Sequence, residues 1–258
     1  TGLAKSKNMI SIRILQSVGP KTAQEWVSRF GFDAEKHPAY LTMALGAGSV
    51  TPMQMAAAYS VFANGGYRVH PWLITKVTDH KGRVISEITP PTLDEKNRAI
   101  DARNAFVMNS LLQEVTRSGT AARAQATLKR TDLAGKTGTT NDSVDAWFAG
   151  YQPTVAAVTW IGYDTPRNLG SRETGGGLSL PVWISFMDRA LKGVPITEPK
   201  VPAGVVNVGG DWFYEEYARS GVPSLGLEDK GSSTTPLAAP PQQPAAEERN
   251  RILDLFKN

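Results

Sequence analysis

The run Lys136-Thr137-Gly138-Thr139-Thr140 sets an ammonium, hydroxyls and a glycine side by side. Such a set can hold an anion. The lysine supplies a compact positive charge. The hydroxyls of Thr137 and Thr139 can donate to a carboxylate, and Gly138 lets a ligand lie close against a strand backbone. The plain alternative is a polar edge strand entering a turn, and Lys-Thr-Gly alone recurs by chance. A second polar run, Ser6-Lys7-Asn8, lies near the start. Serine can pass a proton and asparagine can hold an amide by two hydrogen bonds. Taken alone, helix capping explains both residues better. Gly135-Lys136-Thr137 also resembles the tail of a phosphate-binding loop. That motif needs a glycine where Arg130 stands and a helix directly afterwards. Asn141-Asp142-Ser143 and a strand-like run with Trp147 and Phe148 follow instead, so nucleotide binding is set aside.

These residues need elements to hold them. Asn8 to Val18 carries Ile10, Ile14, Leu15 and Val18 at helical spacing. Gly19 stops that helix, and Pro20 suits the first turn of another, with Ala23, Trp26, Val27 and Phe30 in one stripe and Gly31 at its end. Thr51-Pro52 starts a third, with Thr51 as N-cap, Met55, Tyr59 and Phe62 on one face, and Asn64-Gly65-Gly66 as terminator. Tyr67 to Val77 and Arg83 to Ile88 predict a hairpin turning at His80-Lys81-Gly82. Asp101 caps a helix whose Val107, Leu111 and Val115 face inward, and Gly119 closes it.

The period then changes. Leu133 to Thr140, Asp145 to Tyr151 and Thr154 to Tyr163 predict short strands, the last two joined at Gln152-Pro153. Val155 to Ile161 is apolar on both faces, which predicts a central strand covered on both sides. Leu180-Pro181 starts a last helix with Val182, Phe186 and Ala190. Helices followed by tightly connected strands argue for an α+β domain with an antiparallel sheet. The expected division is one domain over residues 1–194 and a Pro-rich, partly disordered tail over 195–258. Within that tail, Ser232 to Glu248 is low in large apolar residues and Glu247 to Phe256 could form a short helix.

The chain has 258 residues, a net charge of +4 and no cysteine. Disulfide scaffolds and cysteine-based zinc sites are excluded. His37, His70 and His80 lack a ligand pattern, so no metal and no cofactor are expected. The longest basic cluster, Lys129-Arg130, is too short for a nucleic-acid patch. No run of about 18 apolar residues is present to span a membrane. The chain opens as if inside a domain, which is read as a fragment or processed product.

Ser-x-x-Lys, Ser-Asp-Asn and Lys-Thr-Gly form the signature set of penicillin-binding proteins and class A β-lactamases. Ser6-Lys7-Asn8 and Lys136-Thr137-Gly138 are similar to its second and third elements. Ala4 to Arg13, Leu45-Gly46 with Thr51 to Ala56, Ala63 to Gly66, Ser118 to Ala122 and Asp145 to Tyr151 extend the resemblance. Over roughly residues 1–194 the chain resembles the class A, bifunctional penicillin-binding proteins, in the C-terminal portion of their transpeptidase domain.

The resemblance implies a serine β-lactamase-like transpeptidase fold, incomplete at its N-terminus. It implies a peptidoglycan DD-transpeptidase that cross-links stem peptides ending in D-Ala-D-Ala through an acyl-serine and is the target of β-lactam antibiotics. Ser6 would relay a proton to the leaving nitrogen and Asn8 would hold the substrate amide. Lys136 would draw in the terminal carboxylate, and Thr137 and Thr139 would hydrogen-bond it beside Gly138. The backbone N–H of Thr139 would supply half of an oxyanion hole. No Ser-x-x-Lys occurs in the chain, so the nucleophile is expected upstream, on an N-terminal remainder of the same protein. The isolated chain is expected to be inactive. A membrane anchor and a glycosyltransferase domain would lie further upstream, placing the parent in the bacterial periplasm on the inner membrane. The alternative is a non-enzymatic interaction module of the same fold. Glu173 to Gly177 could line the pocket or form a flexible loop, and Arg167 to Arg172 could meet an anionic substrate.

Overall fold

The structure, a computed structural model, describes residues 1–90 and 92–218. Its centre is an antiparallel sheet in the order β3-β4-β5, built from Ala134–Thr139, Ala146–Gln152 and Val155–Ile161. The register pairs Lys136 with Ala149, Gly138 with Trp147 and Trp147 with Trp160. These residues therefore share one face, while Thr137, Thr139 and Phe148 belong to the other.

Helix α3 (Pro52–Ala63) covers the first face, where Tyr59 meets Tyr151 at 6.4 Å between ring centroids. Its start is a full capping box. The Thr51 hydroxyl accepts from Gln54 N–H, and Gln54 Oε1 accepts from Thr51 N–H. Helix α6 (Leu180–Ala190) covers the second face, with Trp183 edge-on to Phe148 at 4.9 Å and donating to Ala157 O at 3.1 Å. Burying each such large apolar side chain stabilises by about 1.5–3 kcal/mol. Helix α4 (Ala102–Arg117), capped by Asp101, runs beside β3 and serves both layers. Its Leu112 packs with Ala134 and Tyr151, and its Val115 with Phe148 and Trp183. Short α5 (Ala122–Leu128) follows.

Around this centre, α1 (Asn8–Val18) and α2 (Pro20–Trp26) form the opening helices, and α2 tightens into a 3₁₀ turn over Val27–Phe30 that ends at left-handed Gly31. Strands β1 (Lys76–Thr78) and β2 (Val84–Glu87) make an exposed hairpin. Beyond α6 the chain returns as the hairpin β6 (Val205–Val208) and β7 (Asp211–Tyr214), then α7 (Glu215–Ala218). This hairpin leans on α4 through Phe106 and Trp212, with Arg103 bonded to Glu216 at 3.0 Å. It lies within the segment expected as a tail, where interrupting prolines hid it. The expectations for Ser232–Glu248 and Glu247–Phe256 fall outside the described residues.

Several expectations are corrected. Val155–Ile161 is covered on both faces, by α3 and α6, but stands at the sheet edge rather than its centre. Tyr67–Thr75 is not a strand; one bridge, Tyr67 to Arg98, is its only pairing among the described residues. Val115 of α4 faces inward as expected, but several other apolar residues turn outward. Leu111 on α4, Ile10, Ile14 and Val18 on α1, and Val182 and Phe186 on α6 are exposed. Leu15, from the expected α1 set, is buried with Ile12, and Trp183, Ile184 and Met187 take the inner positions of α6. Apolar spacing fixes a face; it does not say which of two faces meets the sheet.

Candidate functional site

The opening turn presents Ser6. Lys5 N–H bonds to Thr1 O and Lys7 N–H to Gly2 O, and Ala4 is buried beneath. The loop after α4 grips this turn. Thr120 N–H donates to Ala4 O at 3.0 Å, and the Lys5 ammonium donates to Ser118 O at 2.5 Å. Gly119 permits the approach, since a Cβ there would stand 2.4 Å from Ala4 O. Ser6 itself holds φ +52°. A non-glycine residue in that region is strained, and such strain collects at functional sites.

Strand β3 carries Lys136 to meet it. The Lys136 ammonium donates to Ser6 Oγ at 2.8 Å and to Thr137 O at 2.8 Å. It is half-buried and has no carboxylate partner among the described residues. Burial lowers its pKa below the ordinary 10.5, because taking an ammonium out of water disfavours its charged form.

Lys136, Thr137, Gly138 and Thr139 open on a cleft of about 530 Å³. Its opposite wall runs from Leu45 through Thr51 to Met55 and Tyr59, and Trp147 and Trp160 close the side. The Thr137 hydroxyl meets the Thr120 hydroxyl at 2.6 Å, and Thr139 Oγ1 accepts from Gly175 N–H at 3.0 Å. The structure thus joins Ser6 to Lys136 and aligns Thr137, Gly138 and Thr139 along one rim. Asn8 is the first residue of α1, exposed, and its carboxamide makes no hydrogen bond among the described residues.

Sequence offers no site role for Thr120 or the wall Leu45–Tyr59, whereas Gly175 falls in the run that could line the pocket. The Glu173–Gly177 run does not behave as a flexible loop. It leads into a π-helical turn, Gly175–Ser179, with Thr174 Oγ1 capping Gly177 N–H and the Ser179 hydroxyl donating to buried Ala146 O at 2.7 Å. Arg167 lies over the Tyr163 ring at 3.8 Å. Among the described residues no group of three His, Cys, Asp or Glu side chains could hold a metal ion, and no helix is long and apolar enough to cross a membrane.

A cationic, threonine-flanked edge strand joined to a serine on a helix-leading turn, with helices on both faces of an antiparallel sheet, defines the class. The family model "Penicillin binding protein transpeptidase domain" matches residues 1–187, and the chain belongs to that family. The individual relatives sharpen this. The chain is 46% identical to penicillin-binding protein 1A of Neisseria flavescens, over 91% of this chain and 29% of that protein. It is 37% identical to penicillin-binding protein 1A of Pseudomonas aeruginosa, covering 98% of this chain and 37% of that one. The crystal structure of penicillin-binding protein 1A from Haemophilus influenzae superposes with a TM-score of 0.76 at 33% identity, over 80% of this chain and 36% of that one. The chain therefore spans less than two fifths of the length of these relatives.

Proposed function

We propose that this chain is the carboxylate-gripping portion of a peptidoglycan DD-transpeptidase whose nucleophilic serine comes from an N-terminal remainder of the same protein. The observation that carries the reading is the Lys136 ammonium. It is half-buried, bonded to Ser6 Oγ at 2.8 Å and without a carboxylate counter-ion among the described residues. A half-buried cation without a counter-ion is disfavoured by lost hydration, and the terminal carboxylate of a stem peptide would neutralise it.

In this reading the cleft beside β3 receives the D-Ala-D-Ala end. Lys136, Thr137 and Thr139 hold its free carboxylate, Gly138 lets its backbone lie against the strand, and Asn8 holds an upstream amide. The upstream serine oxygen attacks the penultimate carbonyl carbon. As the C–N bond breaks, Ser6 passes a proton to the departing D-alanine nitrogen and Lys136 steadies its oxygen. The amino group of a second stem peptide then attacks the ester, the serine oxygen leaves and regains a proton, and the cross-link is made. Covalent catalysis splits one hard acyl transfer into two easier ones. The backbone N–H of Thr139 contributes to the oxyanion hole, a donor worth about 3 kcal/mol in such transition states. β-Lactams, which present a strained amide beside a carboxylate, acylate the same serine. The structure of the PonA1 protein from Mycobacterium tuberculosis in complex with penicillin V supports this, aligning at 26% identity and a TM-score of 0.53. The parent works in the periplasm, held to the inner membrane by a segment outside this chain.

Fluorescent penicillin tests the proposal. The full-length parent is expected to be labelled covalently, its Lys136→Ala variant not, and the isolated 258-residue chain not. Strong labelling of the Lys136→Ala parent would contradict the role given to the lysine. Labelling of the isolated chain would place a nucleophile within it.

A further inference from the structure

We propose that Thr120 and Gly175 are positioning residues that orient the hydroxyls of Thr137 and Thr139 on the α6-facing side of β3 and so make the site select a free carboxylate over a carboxamide. The inference rests on the proposed carboxylate site and extends it to residues outside the signature motifs. Each threonine hydroxyl has one proton and two lone pairs. Thr139 Oγ1 accepts from Gly175 N–H at 3.0 Å, so this oxygen has an acceptor position occupied and its own proton remains for a ligand. Thr137 Oγ1 lies 2.6 Å from Thr120 Oγ1, where either atom can donate. An incoming anion resolves that choice. With Thr120 as donor, Thr137 is left to donate outward, and the two-hydroxyl chain polarises in the direction of the negative charge.

Both partners are held by loops with little freedom. Thr120 N–H is tied to Ala4 O at 3.0 Å, on the turn that presents Ser6. Gly175 lies flat on the sheet; a Cβ there would stand 2.2 Å from Trp147 O, 2.4 Å from Gly138 O and 3.1 Å from Gly138 N. Any side chain at 175 would push against the backbone of the carboxylate-gripping strand itself. Gly176 continues the clasp, its own Cβ position 3.4 Å from Thr120 O. The two loops thus close on the same rim. The rim becomes an array of donors, from Lys136 and from both threonines. A carboxylate, which only accepts, satisfies it; a carboxamide brings N–H groups that find no acceptor there and are left unpaired.

The test compares acylation of the full-length parent by a penicillin and by the same compound with its carboxylate converted to a carboxamide. Thr120→Val should lower the acylation rate constant for the free acid by about three- to tenfold, the loss of a hydrogen bond between two neutral hydroxyls, while changing the amide rate little. Thr120→Ser should restore the acid-to-amide ratio. Gly175→Ala should move the ratio in the same direction as Thr120→Val. An unchanged ratio in Thr120→Val, or equal loss with acid and amide, would overturn the assignment even where Gly175→Ala fails to fold. A labelled wild-type parent keeps the transpeptidase reading intact in that event. A wild-type parent that no penicillin labels overturns both.

Discussion

Two cations flank β3, and they have opposite surroundings. Arg130, just before the strand, is paired: it bonds to both oxygens of Asp132, at 3.0 and 2.7 Å, and to Val194 O and Pro195 O. Asp132 is fully buried and takes further bonds from Gln152 and from Thr197 N–H. Lys136, on the strand, has two neutral oxygens and no carboxylate among the described residues. The first cation ties the return of the chain after α6 to the sheet. The second leaves part of its bonding capacity open toward a cleft. Removing a member of the first should cost stability, and removing the second should cost function.

The largest effect is expected at Asp132. Asp132→Ala leaves Arg130 buried and uncompensated, which costs about 3–5 kcal/mol, and a urea titration should show the midpoint falling accordingly. Lys136→Ala should lose about 10²–10³-fold in penicillin acylation of the parent, as removal of a charge-stabilising donor does, with a denaturation midpoint equal to or above wild type. A large stability loss there would erase the contrast between the two cations.

The pH dependences should also diverge. Burial raises the Asp132 carboxyl, but hydrogen bonds from Arg130, Thr197 N–H and Gln152 outweigh it and leave the pKa below 3.8. Its contribution is present above the unfolded value and lost as pH falls through the folded one. Lys136 is depressed below 10.5. Between its folded and unfolded values the unfolded chain binds more protons, so stability from this group rises with pH. Carboxylate binding falls over the same interval as the charge is lost. Thermal melts and ligand titrations across that alkaline range should move in opposite senses. The smallest effect is Thr51→Ala, which removes one side of the α3 capping box and should cost about 1 kcal/mol by denaturant titration.

The sequence carried the chemistry better than the packing. The β3–β5 strands were legible because short aromatic and β-branched runs lie between tight turns, and α3 because Thr51-Pro52 marks its start. α5 was missed: seven residues with Ala121 at its N-cap and no side-chain cap give no start signal. The inner faces of α1 and α6 are not legible, because each helix carries apolar residues on more than one side. Ser6 and Lys136 converge across 130 positions, and only motif resemblance pointed to that. Thr120 and Gly175 act through a hydroxyl and a backbone amide placed by loops, and no periodicity marks such partners.

The position of β5 has a practical consequence. Its outer ladder of N–H and C=O groups faces no strand among the described residues, and its sequence, Val155-Ala156-Ala157-Val158-Thr159-Trp160-Ile161, holds no charge. Uncharged strand borders template pairing with other chains. Concentrated solutions of this polypeptide should scatter light increasingly with time.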